Sequence, residues 1–520
     1  MKKHTFLGFL LSLMLIVGVM PAAAFAADSE APTTLDISKS KEATQLKKID
    51  GKYESTVTLS LPSAEKQLTT DVVFVLDKST SASLEEQALK MLSDLKSDIA
   101  DSGAKVKVGV VIFNKKANVT DFKDLGTQYS DIEAAIKQEI KSGTNTHAGL
   151  LAAEKMLDND TSVSADRKYM VFVSDGITYM FNENPTAVAW NFDADGAKHF
   201  AGPDNWNSQY GNNDAPANWT AALAKISEKI KSQGSSYDYS YGTEPKNLTA
   251  LEKQSAYANS VEKALYLTAQ EYQKLSGKYN CYAMNAGTNS GSQYLWGPSF
   301  MNYLAGGRSV DFTKIHNDIL YLVDSGSTVV DYMGYVANDY NFDLKDLSSV
   351  KLTVGGKELK PTIDGNKIHW GTNYTLTYTP AKDGEEHFEL KLNTPVKISQ
   401  PVQLSYTVVL QNPKTEAGTY GVYDKYGENH ENGLFTNNSA VLNPVDTNKI
   451  QYAGQEFGKP TVSYTVSASA TPTQPTDKPA ATSKTAKTGD DSHIGLWIAL
   501  ALASALGLTG AAVLFRRKHA

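Results

Sequence analysis

Residues 72–76, Val-Val-Phe-Val-Leu, form an unbroken apolar run between Asp71 and Asp77. The run lacks alternation, so both faces of the segment must be covered, as in a strand of a parallel sheet flanked by helices. Such a strand ends at a carboxyl edge where the chain turns toward a helix, and ligands of open α/β sheets collect there. At this edge stand Asp77, Ser79 and Ser81. Alternate residues on an extended turn point the same way, so one carboxylate and two hydroxyls converge. Oxygen ligands of low total charge suit a hard divalent cation and leave coordination positions open. Taken alone, the three residues fit equally a Ser-rich loop that caps the next helix.

The region that follows alternates strand and helix. Residues 84–100 place Ala88, Leu92, Leu95 and Ile99 on one helical stripe, with Ser83 as a plausible N-cap. Strands are expected at 106–113, 169–173 and 279–284, and helices at 130–140, 147–157 and 312–323, the last carrying Ile315, Ile319 and Leu322 in register. This is the order of a doubly wound parallel sheet.

Two further segments bear on the edge. Ser142-Gly143-Thr144-Asn145-Thr146-His147-Ala148-Gly149-Leu150 opens a helix, and Tyr169-Met170-Val171-Phe172-Val173-Ser174-Asp175-Gly176 is another apolar strand ending in a carboxylate. With residues 71–81 these make three motifs in one order, and over about 71–325 the chain resembles the von Willebrand factor type A family. The resemblance implies a metal-ion-dependent adhesion site with Asp77, Ser79, Ser81, Thr144 and Asp175 as ligands. Mg²⁺ or Mn²⁺ is the implied ion, with Ca²⁺ less favoured. It also implies that an acidic side chain of an extracellular protein completes the coordination, and that the last helix shifts on binding. His147 adjoins the loop, but a nitrogen is foreign to an oxygen site. No zinc-protease helix, phosphate-binding glycine loop or serine-hydrolase elbow is present, so the reading is binding and not catalysis.

Residues 179–278 exceed the short connection expected between such units. Their first half is rich in aromatics (Trp190, Phe192, Phe200, Trp206, Tyr210 and Trp219), and helices are expected at 221–233 and 261–275. The segment leaves from the metal edge. Its aromatics are either exposed binding anchors or a small core of their own. The pattern is similar to the arms on tip adhesins of Gram-positive pili.

The two ends place the protein outside a cell. Residues 1–27, with Lys2, Lys3, an apolar core and an Ala-rich exit, read as a secretory signal peptide. Residues 494–515 are uncharged, long enough to span a bilayer, and followed by Arg516, Arg517 and Lys518. Ahead of them lies Thr485-Ala486-Lys487-Thr488-Gly489. Residues 485–520 thus resemble a sortase sorting signal, which implies cleavage between Thr488 and Gly489 and attachment of Thr488 to the cell wall or a pilus subunit. The usual Leu-Pro opening is replaced by Thr485-Ala486. Residues 467–487, rich in Ala, Thr, Pro and Ser, read as a solvated spacer. A formal charge of -7 gives no support to nucleic-acid binding.

A second domain is expected to be split around the first, from 28–70 and 326–466, as an all-β immunoglobulin-like stalk. Short alternating strands are expected at 53–61, 350–354, 374–378, 388–392, 402–410 and 439–442. The arrangement is similar to Gram-positive pilus adhesins, whose stalks often carry a Lys to Asn isopeptide bond. By that resemblance the candidates are Lys39 or Lys41 with Asn437 or Asn438, assisted by Glu386 or Glu389. Ordinary solvated residues are the plain alternative. The one cysteine, Cys281, cannot form an internal disulfide and reads as a small buried residue. The expected role is a surface or pilus adhesin; the alternative is a structural pilus or envelope subunit.

Overall fold

The computed structural model describes residues 37–468 apart from 65–67, 79–83, 101–103, 141–142, 189–214, 242, 244–256, 287–294, 308–310, 337–339, 382–384 and 428–432. The chain separates into two compact units, 1–467 and 468–520. Apart from Ala468, the described residues belong to the first. Its helices are α1 (Glu85–Ile99), α2 (Tyr129–Lys137), α3 (Thr146–Asn159), α4 (Trp219–Gln233), α5 (Ser260–Ser276), α6 (Trp296–Leu304) and α7 (Phe312–Leu320).

The strand Thr69–Asp77 is central in a five-stranded sheet. It runs parallel to Lys105–Phe113 on one side and to Lys168–Ser174 on the other, with Asn280–Asn285 beyond the latter. Its apolar run divides by alternation. Val72, Phe74 and Leu76 share a core with residues of α1, α2 and α7, whereas Val73 and Val75 enter a second core with residues of α3, α4, α5 and α6. The absence of alternation in sequence is therefore two buried faces read at once.

Three departures from expectation have physical causes. The sheet is not wholly parallel, because Ala117–Asp124 returns antiparallel to Lys105–Phe113 as an outer strand. Its half-exposed, polar composition gives no apolar run to read, and Val119 lies 50% exposed. Helix α6 begins at Trp296 and carries Gly297 and Pro298, residues that argue against a helix except in its first turn. Helix α7 stops at Leu320 instead of continuing to 323. Tyr321–Val323 is captured as a strand by Val396–Lys397, and the Leu320 carbonyl accepts from the Ile398 amide at 2.8 Å.

The sequence on both sides of this module builds one antiparallel sandwich. Lys52–Leu61 pairs along its length with Val402–Leu410, from Leu61 beside Val402 to Tyr53 beside Leu410. In the facing sheet Thr328–Tyr332 lies between His387–Leu392 and Ser439–Asn443. Val57, Leu59, Leu404 and Tyr406 of the first sheet and Leu376, Phe388, Leu390 and Leu442 of the second belong to one core. The chain thus combines an α/β doubly wound module with an all-β domain that it interrupts. Among the described residues no helix is long and apolar enough to cross a membrane; residues 1–27 and 485–520 lie outside them.

Candidate metal centre

Three separated stretches bring oxygen donors to the carboxyl edge of the sheet. Asp77 ends the central strand fully buried, and its Oδ2 accepts a 2.7 Å hydrogen bond from Ser174 Oγ. Leu76 stands beside Val173 in the strand register, so Asp77 and Ser174 follow side by side. Asp175 comes next, 5% exposed, and its Oδ1 accepts from the Ile177 amide at 2.9 Å. Thr144, equally buried, belongs to the loop that opens α3. Ser79 and Ser81 lie outside the described residues.

The described donors are two carboxylates and a hydroxyl, all withdrawn from water. This chemistry fits a hard cation, since carboxylates leave water at a high cost unless positive charge meets them. Among the described residues no group of three or more His, Cys, Asp or Glu is placed to hold a metal ion.

Local sequence explains how the loops hold. Gly176 has φ +79°, and a Cβ there would lie 2.1 Å from the Gly297 carbonyl oxygen, so only glycine passes beneath α6. Asn145, fully buried, caps α3 by accepting from the Ala148 amide at 3.1 Å, and its Nδ2 donates to the carbonyls of Lys115 and Asn182 at 3.0 and 2.9 Å. The Thr146 amide donates to Thr178 Oγ1 at 3.4 Å, and the Thr144 carbonyl accepts from the amides of Tyr179 and Met180 at 3.4 and 3.3 Å. His147 Nδ1 accepts from the Asn182 amide at 3.0 Å. Burial pushes the imidazole down to about 4, so it is neutral near pH 7.

Sequence reasoning passed over Asn145, Thr178, Tyr179 and Asn182. Only Asn145 carried a signal, as a cap residue just ahead of an apolar helix.

Of the six aromatics singled out in the insertion, Trp219 is the one among the described residues, and it is a core residue. It is 6% exposed, its ring centroid lies 5.0 Å from that of Phe300, and its Nε1 donates to Ser299 Oγ at 2.9 Å. Trp190, Phe192, Phe200, Trp206 and Tyr210 lie outside the described residues. Cys281 is partly buried on the strand Asn280–Asn285, where burial pushes its thiol up.

In the sandwich, the lysine and asparagine candidates separate sharply. Lys39 Nζ donates to Gln455 Oε1 at 3.1 Å, and the exposed Asn438 donates to Glu385 Oε1 at 2.9 Å. Lys41 and Asn437 are both fully buried. Lys41 Nζ lies 2.6 Å from Asp331 Oδ2, which also accepts from the Tyr406 hydroxyl at 2.6 Å. Burial pushes the lysine down and the aspartic acid up. Neither atom of the Asn437 carboxamide has a hydrogen-bond partner among the described residues. Its neighbour Asn438 donates its amide to the Tyr332 carbonyl at 2.8 Å, and Asp331 stands beside Ala440 in the register.

The expected acids are displaced by this arrangement. Glu389 points outward, because it alternates with the buried Phe388 and Leu390. Glu386 is buried, but its Oε1 accepts from the Tyr378 hydroxyl and the Leu344 amide. The acid on Lys41 is Asp331.

Residues 72–177 match the von Willebrand factor type A domain family. No curated protein matches the chain. Among solved structures, the pilus adhesin SpaC of Lactobacillus rhamnosus GG is 15% identical, with 84% of this chain and 48% of that chain covered and a TM-score of 0.32. The type V pili tip protein Mfa5 of Porphyromonas gingivalis is 14% identical over 83% of this chain and 79% of that one, at 0.34. The adhesive tip pilin GBS104 of Streptococcus agalactiae is 15% identical over 83% and 92%, at 0.29. The chain thus spans about half the length of the SpaC structure. At scores this low the likenesses carry no argument about partner or mechanism. The sequence match takes in the ends of both apolar strands and the loop that opens α3: residues 72–177 are similar to the von Willebrand factor type A domain family.

Proposed function

We propose that the protein is a non-enzymatic surface adhesin that binds an acidic side chain of an extracellular protein through a divalent cation, Mg²⁺ or Mn²⁺. Asp77, Asp175, Thr144, Ser79 and Ser81 would hold the cation. The observation that supports this reading is that Asp77 and Asp175, buried, end two neighbouring parallel strands, with the buried Thr144 in the loop that opens α3. When bound, the cation offers an electrophilic position to an incoming carboxylate. The chain's own part is to supply only two negative charges, so that an anionic partner is still attracted, and to hold the donors in fixed loops. Residues 1–27 and 485–520 support a Gram-positive surface location, with sortase joining Thr488 to the wall or to a pilus subunit.

The test is adhesion of bacteria displaying the full chain to an array of matrix proteins, with Mg²⁺, with EDTA, and as Asp77→Ala. Binding is expected to fall at least about tenfold in the last two conditions. Adhesion unchanged by both treatments would favour a structural pilus or envelope subunit.

The same reading includes an internal Lys41 to Asn437 amide in the stalk. Burial favours the neutral amine of Lys41 and the protonated form of Asp331. The Lys41 Nζ attacks Asn437 Cγ, a C–N bond forms, and the Cγ–Nδ2 bond breaks. Asp331 takes a proton from the attacking nitrogen and delivers one to the leaving nitrogen, which departs as ammonia. The intact mass of the solubilised chain is expected about 17 Da below that of the unlinked sequence, and Lys41→Met or Asp331→Asn is expected to restore the difference. An unshifted wild-type mass removes the bond from the proposal.

A further inference from the structure

The inserted segment does not merely leave from the metal edge; it returns to it. Its strand Thr186–Val188 pairs antiparallel with Asp238–Ser240, and the next residue, Tyr241, donates its amide to the Pro185 carbonyl at 2.8 Å. This strand pair sets the Tyr241 ring 6.5 Å from that of Tyr179. Tyr179 is where the insertion begins, and its amide already donates to the Thr144 carbonyl at 3.4 Å. Tyr179 is partly buried, and its phenol faces the Tyr241 hydroxyl and the main chain of Thr144. A third side chain closes the group. Lys115 Nζ lies 5.0 Å above the Tyr241 ring, and the lysine stem lies so near Gly143 that a Cβ there would meet its Cγ at 2.5 Å.

Lys115 and Tyr179, from before the strand pair, and Tyr241, just after it, therefore gather beside Gly143 and Thr144. We propose that Tyr241 and Tyr179 are positioning residues: the strand pair holds Tyr241 against Tyr179, Tyr179 clips Thr144 into place, and the clip so sets the cation affinity of the site. This rests on the cation-site reading above. A phenol that touches a ligand-bearing loop without entering the coordination shell acts as other outer partners of metal ligands do, by fixing ligand orientation. The consequence is that the insertion tunes the site through two hydroxyl groups as well as through any contact with a partner.

The experiment is a Mn²⁺ titration of the solubilised full chain followed by electron paramagnetic resonance. It compares wild type, Asp77→Ala, Tyr179→Phe, Tyr241→Phe and Tyr266→Phe. Tyr266 shares a 3.1 Å hydrogen bond with Ser227 between α5 and α4, so its variant reports general loosening of the insertion. Removing either clip hydroxyl is expected to weaken Mn²⁺ binding about tenfold, with Tyr266→Phe at the wild-type value. Hydrogen exchange of cation-free protein is expected to rise over 143–150 in the clip variants, which a shared change in overall fold would not confine there. If wild type binds, Asp77→Ala does not, and both clip variants match wild type, the clip is refuted while the site stands. Equal weakening in all three phenylalanine variants also refutes it. If wild type itself fails to bind Mn²⁺, the cation-site reading falls, and this inference with it.

Discussion

Asp71, the third residue of the central strand, lies toward the end opposite the metal edge and is fully buried. Its Oδ1 lies 3.1 Å from Lys107 Nζ, a cation that also serves Asp160. Burial pushes the Asp71 carboxyl up from an ordinary 3.8 to about 6, and the shared lysine only partly opposes this. The sign follows from linkage: the folded state holds the proton more tightly, so the stability contribution is fully present below 3.8 and is lost as pH rises through about 6. Thermal unfolding from pH 4 to 7 is expected to show this loss in wild type relative to Asp71→Asn, in which the difference disappears. Parallel curves for the two proteins would contradict it. At this scale the sequence was informative where chemistry is local. Asp77 and Asp175 end apolar runs, and Asn145 precedes a helix. It was silent on Asp331, whose meaning depends on a lysine 290 residues away.

Among the elements, those with a strong pattern were readable and those shaped by a neighbour were not. The central strand declared itself because burial on two faces leaves an uninterrupted apolar run. Ala117–Asp124 did not, since an outer strand with one half-exposed face has no such run. The end of α7 was decided by Val396–Lys397, which offers backbone partners more than seventy residues downstream. The loop after Lys168–Ser174 turns on a single glycine, and here a measurement is available. Gly176 and Gly306 both have positive φ, at +79° and +65°, but only at Gly176 does a Cβ strike backbone. Gly306→Ala is expected to cost about 1 kcal/mol for its backbone conformation alone. Gly176→Ala adds a clash with the Gly297 carbonyl, and a loss of roughly 2–4 kcal/mol in denaturant unfolding is expected. Equal losses would show that the approach to α6 does not constrain the loop.

The first unit, residues 1–467, is over its described residues an α/β module set into a β sandwich that closes only when Lys52–Leu61 finds Val402–Leu410. A Lys41 to Asn437 amide would fasten the sandwich across nearly the whole folded chain. By analogy with long disulfide loops its removal in Lys41→Met is expected to cost roughly 4–5 kcal/mol, read as a lower melting temperature and faster proteolysis. The sequence by itself determined the α/β class of residues 72–177 and the identity of the edge carboxylates, because both follow from short-range patterns of apolar and oxygen-bearing residues. Only the tertiary structure decided which acid faces Lys41, where α7 ends, and that Tyr241 returns to Tyr179. Those contacts join residues far apart along the chain, and no local periodicity encodes which distant strand or hairpin will supply the partner.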